Sequence, residues 1–328
     1  MNSRCNAAAR VFAGLCIVFA LAAPRAAARK TAPAAAKESR RPVKIYYRYN
    51  GVDEDYGKLA VVDSNDLSHR RFIEGFSCEV VAFSAGHGIC LTANRGAITT
   101  YAARLFDDTF QHVITVPLQG IPSRCRVSPD GKTAALTVFI TGHAYTSPHF
   151  STQTLLLDTA SGKVLANIED FAVSREGRAF KAPDFNFWGV TFTPDSKNFY
   201  CTLNTNGVSY LIKGDIASRT AAVLRPDVEC PSLSPDGARI AYKKPLPGKR
   251  VSWRLQVLDV ASMKETALTE TRSVDDQLQW LDNRSVLYAV SENPGGSSAS
   301  TDVWLARVDV DAAPALFLAK AYSPAVVR

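Results

Sequence analysis

Short apolar or alternating runs, separated by turn signals, fill residues 42–328. No long stretch there has the 3.6-residue periodicity of an amphipathic helix, whereas short runs between turns are typical of β-strands. The clearest turn is Ser234-Pro235-Asp236-Gly237, which is followed by the apolar Ile240-Ala241-Tyr242. Proline sets φ to about −65° at the second turn position, and glycine supplies a positive φ. The pattern predicts an all-β domain built from hairpins.

The same turn recurs along the chain. Ser128-Pro129-Asp130-Gly131 is a second full copy, and Thr193-Pro194-Asp195-Ser196 has lost the glycine. The first positions of six copies fall at 84, 128, 193, 234, 280 and 323, so the intervals are 44, 65, 41, 46 and 43 residues. A period of about 40 residues is that of a four-stranded β-propeller blade. We therefore predict a six-bladed β-propeller; an open β-sandwich is the alternative, but it does not explain the period.

The two ends of the chain are predicted to contribute strands to the same blade. Residues 43–73 contain strand-like runs such as Lys44–Tyr49 and Leu59–Asp63 without a turn copy before them. The last turn copy, at Ser323, has no strands after it. We expect these pieces to share one blade, so that the ring closes by pairing of the N- and C-terminal strands. Closure would remove the exposed sheet edges.

The segments SPDGK at 128–132 and SPDGARIAY at 234–242 resemble the repeat of the TolB-like six-bladed propellers, a family of exported bacterial proteins. The resemblance covers residues 42–328. It implies an architecture and no particular activity, since related propellers also accompany peptidases and lyases. TolB itself has a further N-terminal domain that serves the Tol envelope system. Only residues 29–41 lie between leader and propeller here, so the resemblance does not carry over a direct Tol role.

Residues 1–28 have the features of a signal peptide. Arg4 and Arg10 precede an apolar run at 11–22, and small residues follow that suit cleavage. The run is shorter than the roughly 20 residues of a membrane-spanning helix, although a membrane anchor is the alternative. Residues 29–41 are rich in Ala, Lys and Arg, which predicts a disordered basic linker. The expected location is periplasmic or secreted, without a transmembrane segment after signal cleavage.

The net charge of +7 is confined to these first segments. Residues 1–28 have a net charge of +3 and residues 29–41 a net charge of +4, so residues 42–328 have no net charge. A nucleic-acid-binding surface would place basic residues on the folded domain. The sequence therefore predicts no nucleic-acid partner.

Common catalytic and metal-binding motifs are missing from the sequence. There is no G-x-S-x-G, H-E-x-x-H or C-x-x-C motif and no phosphate-binding glycine-rich loop. The five histidines lack ligand spacing, so we predict neither a metal nor a cofactor: His69, His87, His112, His143 and His149.

Candidate ligand-binding residues follow from the propeller itself, whose channel is lined by the innermost strand of each blade. The fifth residue before the turn is a carboxylate in three blades, at Glu79, Glu229 and Asp275. Such carboxylates repel and raise one another's pKa unless a cation lies between them. This predicts an acidic funnel for a cation, an amine or a basic peptide end; the alternative is a water-filled rim with Arg124 as counter-charge. The candidate residues are Glu79, Arg124, Trp188, Glu229, Asp275 and Asp276.

Two further features leave alternatives open. Five cysteines lie beyond residue 28, namely Cys78, Cys90, Cys125, Cys201 and Cys230, and an oxidising compartment predicts one or two disulfides with at least one free thiol. The aromatic residues of the long insertion, at 171–187, either cap the channel or bind a partner, and the alternative is that they pack over the fourth blade.

The function expected from the sequence is that of an exported, non-catalytic binding platform in the bacterial envelope, with a role related to translocation as one option. Its partner would be an envelope protein or peptide, or a small cationic ligand. The alternative is a hydrolase or lyase that uses the acidic funnel.

Overall fold

The structure is a computed structural model. It describes residues 42–142, 144–145, 150–248, 251–291 and 300–328. The predicted signal peptide (1–28) and basic linker (29–41), together with His143 and His149, lie outside the described residues. The described strands, in chain order, are β1 (Lys44–Tyr49), β2 (Lys58–Asp63), β3 (Asp66–Ser77), β4 (Val80–Ser84), β5 (His87–Arg95), β6 (Thr99–Asp107), β7 (Val113–Leu118), β8 (Ile121–Val127), β9 (Thr133–Thr141), β10 (Ser151–Asp158), β11 (Val164–Asn167), β12 (Ala172–Arg175), β13 (Arg178–Ala179), β14 (Asn186–Phe192), β15 (Asn198–Thr205), β16 (Val208–Asp215), β17 (Thr220–Pro226), β18 (Glu229–Leu233), β19 (Arg239–Pro245), β20 (Trp253–Asp259), β21 (Glu265–Ala267), β22 (Gln279–Asp282), β23 (Ser285–Ser291), β24 (Thr301–Arg307), β25 (Ala315–Leu318) and β26 (Ala321–Val327). One 3₁₀ helix, Ile168–Asp170, follows β11.

These strands form six sheets, arranged as the blades of a β-propeller. Blade 1 has the order β26-β1-β2-β3 and is shared by the two chain ends. The innermost strands of blades 2 to 6 are β4, β8, β14, β18 and β22. β1 pairs antiparallel with β26, with Ile45 opposite Val326. The predictions of an all-β fold, six blades and closure by the terminal strands are confirmed.

The turn at Ser234 follows the predicted chemistry. Gly237 has a φ of 72°, and its N–H donates to the Ser234 carbonyl at 2.8 Å. The Ser234 hydroxyl accepts a hydrogen bond from the Arg239 N–H at 3.0 Å. In the copy without glycine, Ser196 takes the positive φ, 59°, and its hydroxyl accepts a bond from the Asp130 N–H of the neighbouring blade at 3.1 Å. The lost glycine is thus replaced by a contact between blades.

Apolar clusters between neighbouring blades seal the ring. One of them joins blades 1 and 2, where the rings of Tyr46 and Phe83 stack with centroids 5.2 Å apart. Another joins blades 4 and 5 through Tyr200, Ile240 and Tyr242. Because each blade buries one face against each neighbour, strands that would be half exposed in a single sheet are buried on both faces.

The insertion adds strands to blade 4. β12 pairs in parallel with β17, and β13 pairs with β12, so this sheet has six strands. Phe171 and Phe187 are buried in the cluster between blades 3 and 4, and Phe180 and Phe185 pack against it. Of the two alternatives for the insertion, the structure shows packing over blade 4.

One disulfide joins Cys78, just before β4, to Cys90 on β5, with Cα atoms 5.3 Å apart. Cys125, Cys201 and Cys230 are free thiols. The single disulfide agrees with the sequence, which had left the pairing open.

Removing this disulfide is expected to destabilise the propeller modestly. It closes a loop of 12 residues, and loops of that size correspond to about 2–3 kcal/mol of stabilisation. The double substitution Cys78→Ser and Cys90→Ser should lower the free energy of unfolding by that amount in urea titrations. Reductant should destabilise the wild type and leave the double variant unchanged; an equal response of both proteins would contradict the prediction.

Candidate functional site

The six candidate residues all lie where the chain enters an innermost strand. Arg124 is on β8, Trp188 on β14 and Glu229 begins β18. Glu79 immediately precedes β4, whereas Asp275 and Asp276 lie in the segment before β22 rather than on a strand. Their shared position gathers most of them at one end of the channel, which we call the entry end.

Lys243 is the residue around which the charges are organised. It lies on β19, the second strand of blade 5, and its side chain is fully buried. Its Nζ is 3.6 Å from Glu229 Oε2 and forms an ion pair with Asp275 Oδ1. The ammonium also lies 3.9 Å from the ring centroid of Trp253. The three side chains Glu229, Lys243 and Asp275, with Arg124 beside Asp275 at 3.3 Å, are called the channel cluster below.

Sequence reasoning missed Lys243 because it aligned only the innermost strands. A usable signal was present, since Lys243 directly follows the apolar run Ile240-Ala241-Tyr242 and therefore interrupts a buried strand. A lysine in such a position needs a carboxylate partner, because an unpaired buried ammonium is very costly.

Both carboxylate oxygens of Glu229 are also occupied by neutral donors. The Ser209 hydroxyl donates to Oε1 at 2.9 Å, and the Trp253 indole N–H donates to Oε2 at 2.9 Å. These donors come from blades 4 and 5. Glu229 is therefore held as a fixed acceptor that ties the two blades together.

The pKa of Asp275 is lowered, whereas the sequence predicted carboxylates that raise one another's pKa. Burial acts to raise the pKa of Asp275, but the charges of Lys243 and Arg124 outweigh it and hold that pKa below its ordinary value. The pKa of Asp276 is raised, and the main cause is burial. Asp276 accepts hydrogen bonds at 2.8 Å from the N–H groups of Gln277 and Ala289.

The prediction of an uncompensated acidic funnel is therefore not supported by this geometry. The guanidinium of Arg124 and the ammonium of Lys243 lie beside Asp275, where the sequence predicted a bound cation. Glu79 is likewise paired, with Arg95 at 2.7 Å and Arg48 at 3.7 Å, and it contacts none of the other candidate residues. The carboxylates act as counter-ions and acceptors, an arrangement that suits a rigid scaffold better than a general acid–base pair.

Trp188 belongs to an aromatic wall beside the channel cluster. Its ring lies 4.8 Å from that of Tyr145 and 5.6 Å from that of Phe150, measured between centroids. The Tyr145 hydroxyl is 2.6 Å from the Ser123 hydroxyl on β8. Trp188 is almost fully buried, and its indole N–H has no hydrogen-bond partner among the described residues.

An open cleft of about 910 Å³ lies against this wall, between blades 3, 4 and 5. Trp188 and Glu229 reach its floor, and Leu246 and Val251 form an apolar rim, with exposed fractions of 44% and 53%. Asp184 and Asp227 also line it. We call this cavity the entry cleft.

Asp184 is the acidic residue of the entry cleft whose hydrogen bonds stabilise its ionised form. Asp184 accepts hydrogen bonds from the Thr205 hydroxyl at 2.5 Å and the Asn206 N–H at 2.6 Å, and these bonds lower its pKa. Lys244, the basic residue among the described lining residues, pairs with Glu265 at 2.5 Å. Asp184 and Asp227 are the acidic side chains among the described residues that line the cleft, together with Glu229.

The free cysteines offer no activated nucleophile. Burial raises the pKa of the Cys125 thiol to about 12 and also raises those of Cys201 and Cys230. A thiol whose pKa is raised in this way stays protonated and inert at neutral pH. In the part of the chain that the structure describes, no three His, Cys, Asp or Glu side chains are grouped to hold a metal ion. The same residues include no helix that is long and apolar enough to span a membrane.

No protein-family model and no curated protein sequence matches this chain significantly. Solved structures do resemble it. TolB from Acinetobacter baumannii has a TM-score of 0.60 at 16% identity, over 88% of this chain and 67% of that one. The chain has a TolB-like propeller fold. A TolB structure from Agrobacterium tumefaciens gives 0.50 at 13% identity over 85% and 88%, and a chain of a nidogen/laminin complex gives 0.56 at 8% over 87% and 98%. At these identities the likeness concerns the fold alone.

Proposed function

We propose that this protein is an exported, non-catalytic scaffold that binds a protein or peptide partner in the bacterial envelope. The observation that carries the proposal is the entry cleft, whose volume of about 910 Å³ suits an inserted peptide segment. The leader-like residues 1–28 and the TolB-like fold support the envelope location.

The lining of the entry cleft indicates the chemistry of the partner. Leu246 and Val251 offer exposed apolar surface, and its removal from water against a partner would favour binding. Asp184 and Asp227, which also line the cleft, would attract a basic side chain. We therefore favour a segment that combines an apolar and a basic side chain over a small cation, because the channel cluster already contains its own cations.

Charge on the apolar rim should weaken binding. Leu246→Asp and Val251→Asp are expected to weaken capture of the partner from envelope extracts by about tenfold or more, since an aspartate would have to be buried in the interface. Both sites are exposed, so the fold should persist. Leu316→Asp on blade 6, where the leucine is 53% exposed, is the matched control and should bind like the wild type. Equal capture by all three variants would refute binding at the entry cleft.

A further inference from the structure

A second cavity lies at the opposite end of the channel, where the hairpin turns are. Its volume is about 350 Å³, and residues of all six innermost strands line it. Arg126 of β8 and Arg328, which follows β26, are the two charged residues among its described lining residues. We call it the turn-side cavity; it shares no lining residue with the entry cleft.

Neutral groups hold both arginines in place. Arg126 donates to the Gln279 side-chain oxygen and, at 3.2 Å, to the Leu278 carbonyl. Arg328 donates to the Trp280 carbonyl. Carbonyl acceptors orient a guanidinium without neutralising its charge, so two positive charges face one cavity.

No aspartate or glutamate side chain is among the described residues that line the turn-side cavity. The charges of Asp276 and Asp282 act on the two arginines, but neither side chain is among the described residues that line the cavity. Burial lowers the pKa of Arg126, and the charge of Arg328 acts in the same direction. Arg126 Nε is also buried without a hydrogen-bond partner. A bound anion would offset the positive charge of the two arginines and would accept a hydrogen bond from Arg126 Nε.

The rest of the lining is suited to an apolar group. Phe83, Phe192 and Trp280 contribute aromatic surface, and Ser84 and Ser232 add hydroxyl groups. A volume of about 350 Å³ falls at the small end of ordinary ligand pockets. Arginine pairs are well suited to carboxylate and phosphate because the guanidinium fork matches their geometry.

We propose that the turn-side cavity binds a small oxyanion ligand, a carboxylate or phosphate ester carried on an apolar body. The site is independent of partner binding at the entry cleft. Arg126 and Arg328 would recognise a carboxylate and a phosphate ester in the same way, and the probes described below distinguish the two.

The test is calorimetric titration of the full chain, at fixed ionic strength, with 3-phenylpropionate, phenyl phosphate and the uncharged 3-phenylpropanol. At least one anion should bind, and the alcohol should bind at least about tenfold more weakly, since a charge-assisted hydrogen bond is worth about that factor. The tighter of the two anions identifies the oxyanion that the site prefers.

Arg328→Gln and Arg126→Gln should each weaken the anion by about tenfold or more. Arg178→Gln, at an exposed arginine of β13, is the control and should leave binding unchanged. Arg328 is exposed, so Arg328→Gln should fold. This variant therefore tests the proposal even if Arg126→Gln does not fold. Equal binding of the alcohol, no binding of either anion, or unchanged affinity in Arg328→Gln would overturn the proposal.

Discussion

Replacing Lys243 with methionine is expected to lower the free energy of unfolding by about 3–5 kcal/mol. Lys243 is fully buried beside Glu229 and Asp275, and its removal leaves the buried Glu229 without a cation and Asp275 with Arg124 alone. Methionine fills a similar volume, so the loss reports charge more than packing. Urea unfolding at neutral pH, followed by tryptophan fluorescence, measures the effect; Trp253 lies directly against the ammonium.

Two further variants make this measurement specific. Lys132→Met, at an exposed lysine of the turn in blade 3, should change stability by less than about 0.5 kcal/mol. Combining Lys243→Met with Asp275→Asn should recover part of the loss, because the carboxylate that pairs with Lys243 is then removed together with its partner. Additive losses in the double variant would contradict the proposed pairing.

The second large effect concerns Glu169, in the 3₁₀ helix between blades 3 and 4. Its carboxylate accepts hydrogen bonds from the Thr154 N–H at 2.9 and 3.1 Å. Burial outweighs these bonds and raises the pKa of Glu169 to about 8. The folded protein therefore keeps this proton at pH values where the unfolded chain has released it, so stability falls as pH rises from about 4.5 to about 8.

Glu169→Gln should remove this pH dependence, because glutamine retains an acceptor for Thr154 without a charge. Relative to the wild type, the variant should gain little at pH 4 and about 2–4 kcal/mol above pH 8. Urea titrations across that pH range measure the gain. Glu176→Gln, at an exposed glutamate of the β12–β13 turn, should show no such trend; a constant difference between Glu169→Gln and wild type would disprove the burial argument.

Much of the fold could be predicted because its turns are local. A proline and a glycine at fixed offsets determine a hairpin wherever they occur, and the period between such turns determines the blade. Blade 2 was harder to detect, since its turn at Ser84-Ala85-Gly86 lacks the proline. Its third strand nevertheless ends in Asp107, like the strands ending in Asp158 and Asp215. The parallel pairing of β12 with β17 has no local signal, because it joins residues 48 positions apart.

The site was less predictable for a related reason. Alignment on the turn placed Arg124, Glu229 and Asp275 near one another, and in the structure Lys243 joins Glu229 to Asp275 while Arg124 pairs with Asp275. The charge at this site depends on Lys243, which lies on β19, the second strand of blade 5. An alignment of innermost strands does not include that residue. Tyr145 was missed similarly, since it lies in the connection between β9 and β10 and reaches the channel only after folding.

The central claim is that the entry cleft receives a protein partner, and site-specific photocrosslinking in the envelope tests it most directly. A photoreactive residue at Val251, on the rim of the cleft, should give one dominant crosslinked partner. The same residue at Leu316, which is equally exposed on blade 6, should not give that product. A partner that crosslinks from position 316 and not from position 251 would contradict the assignment.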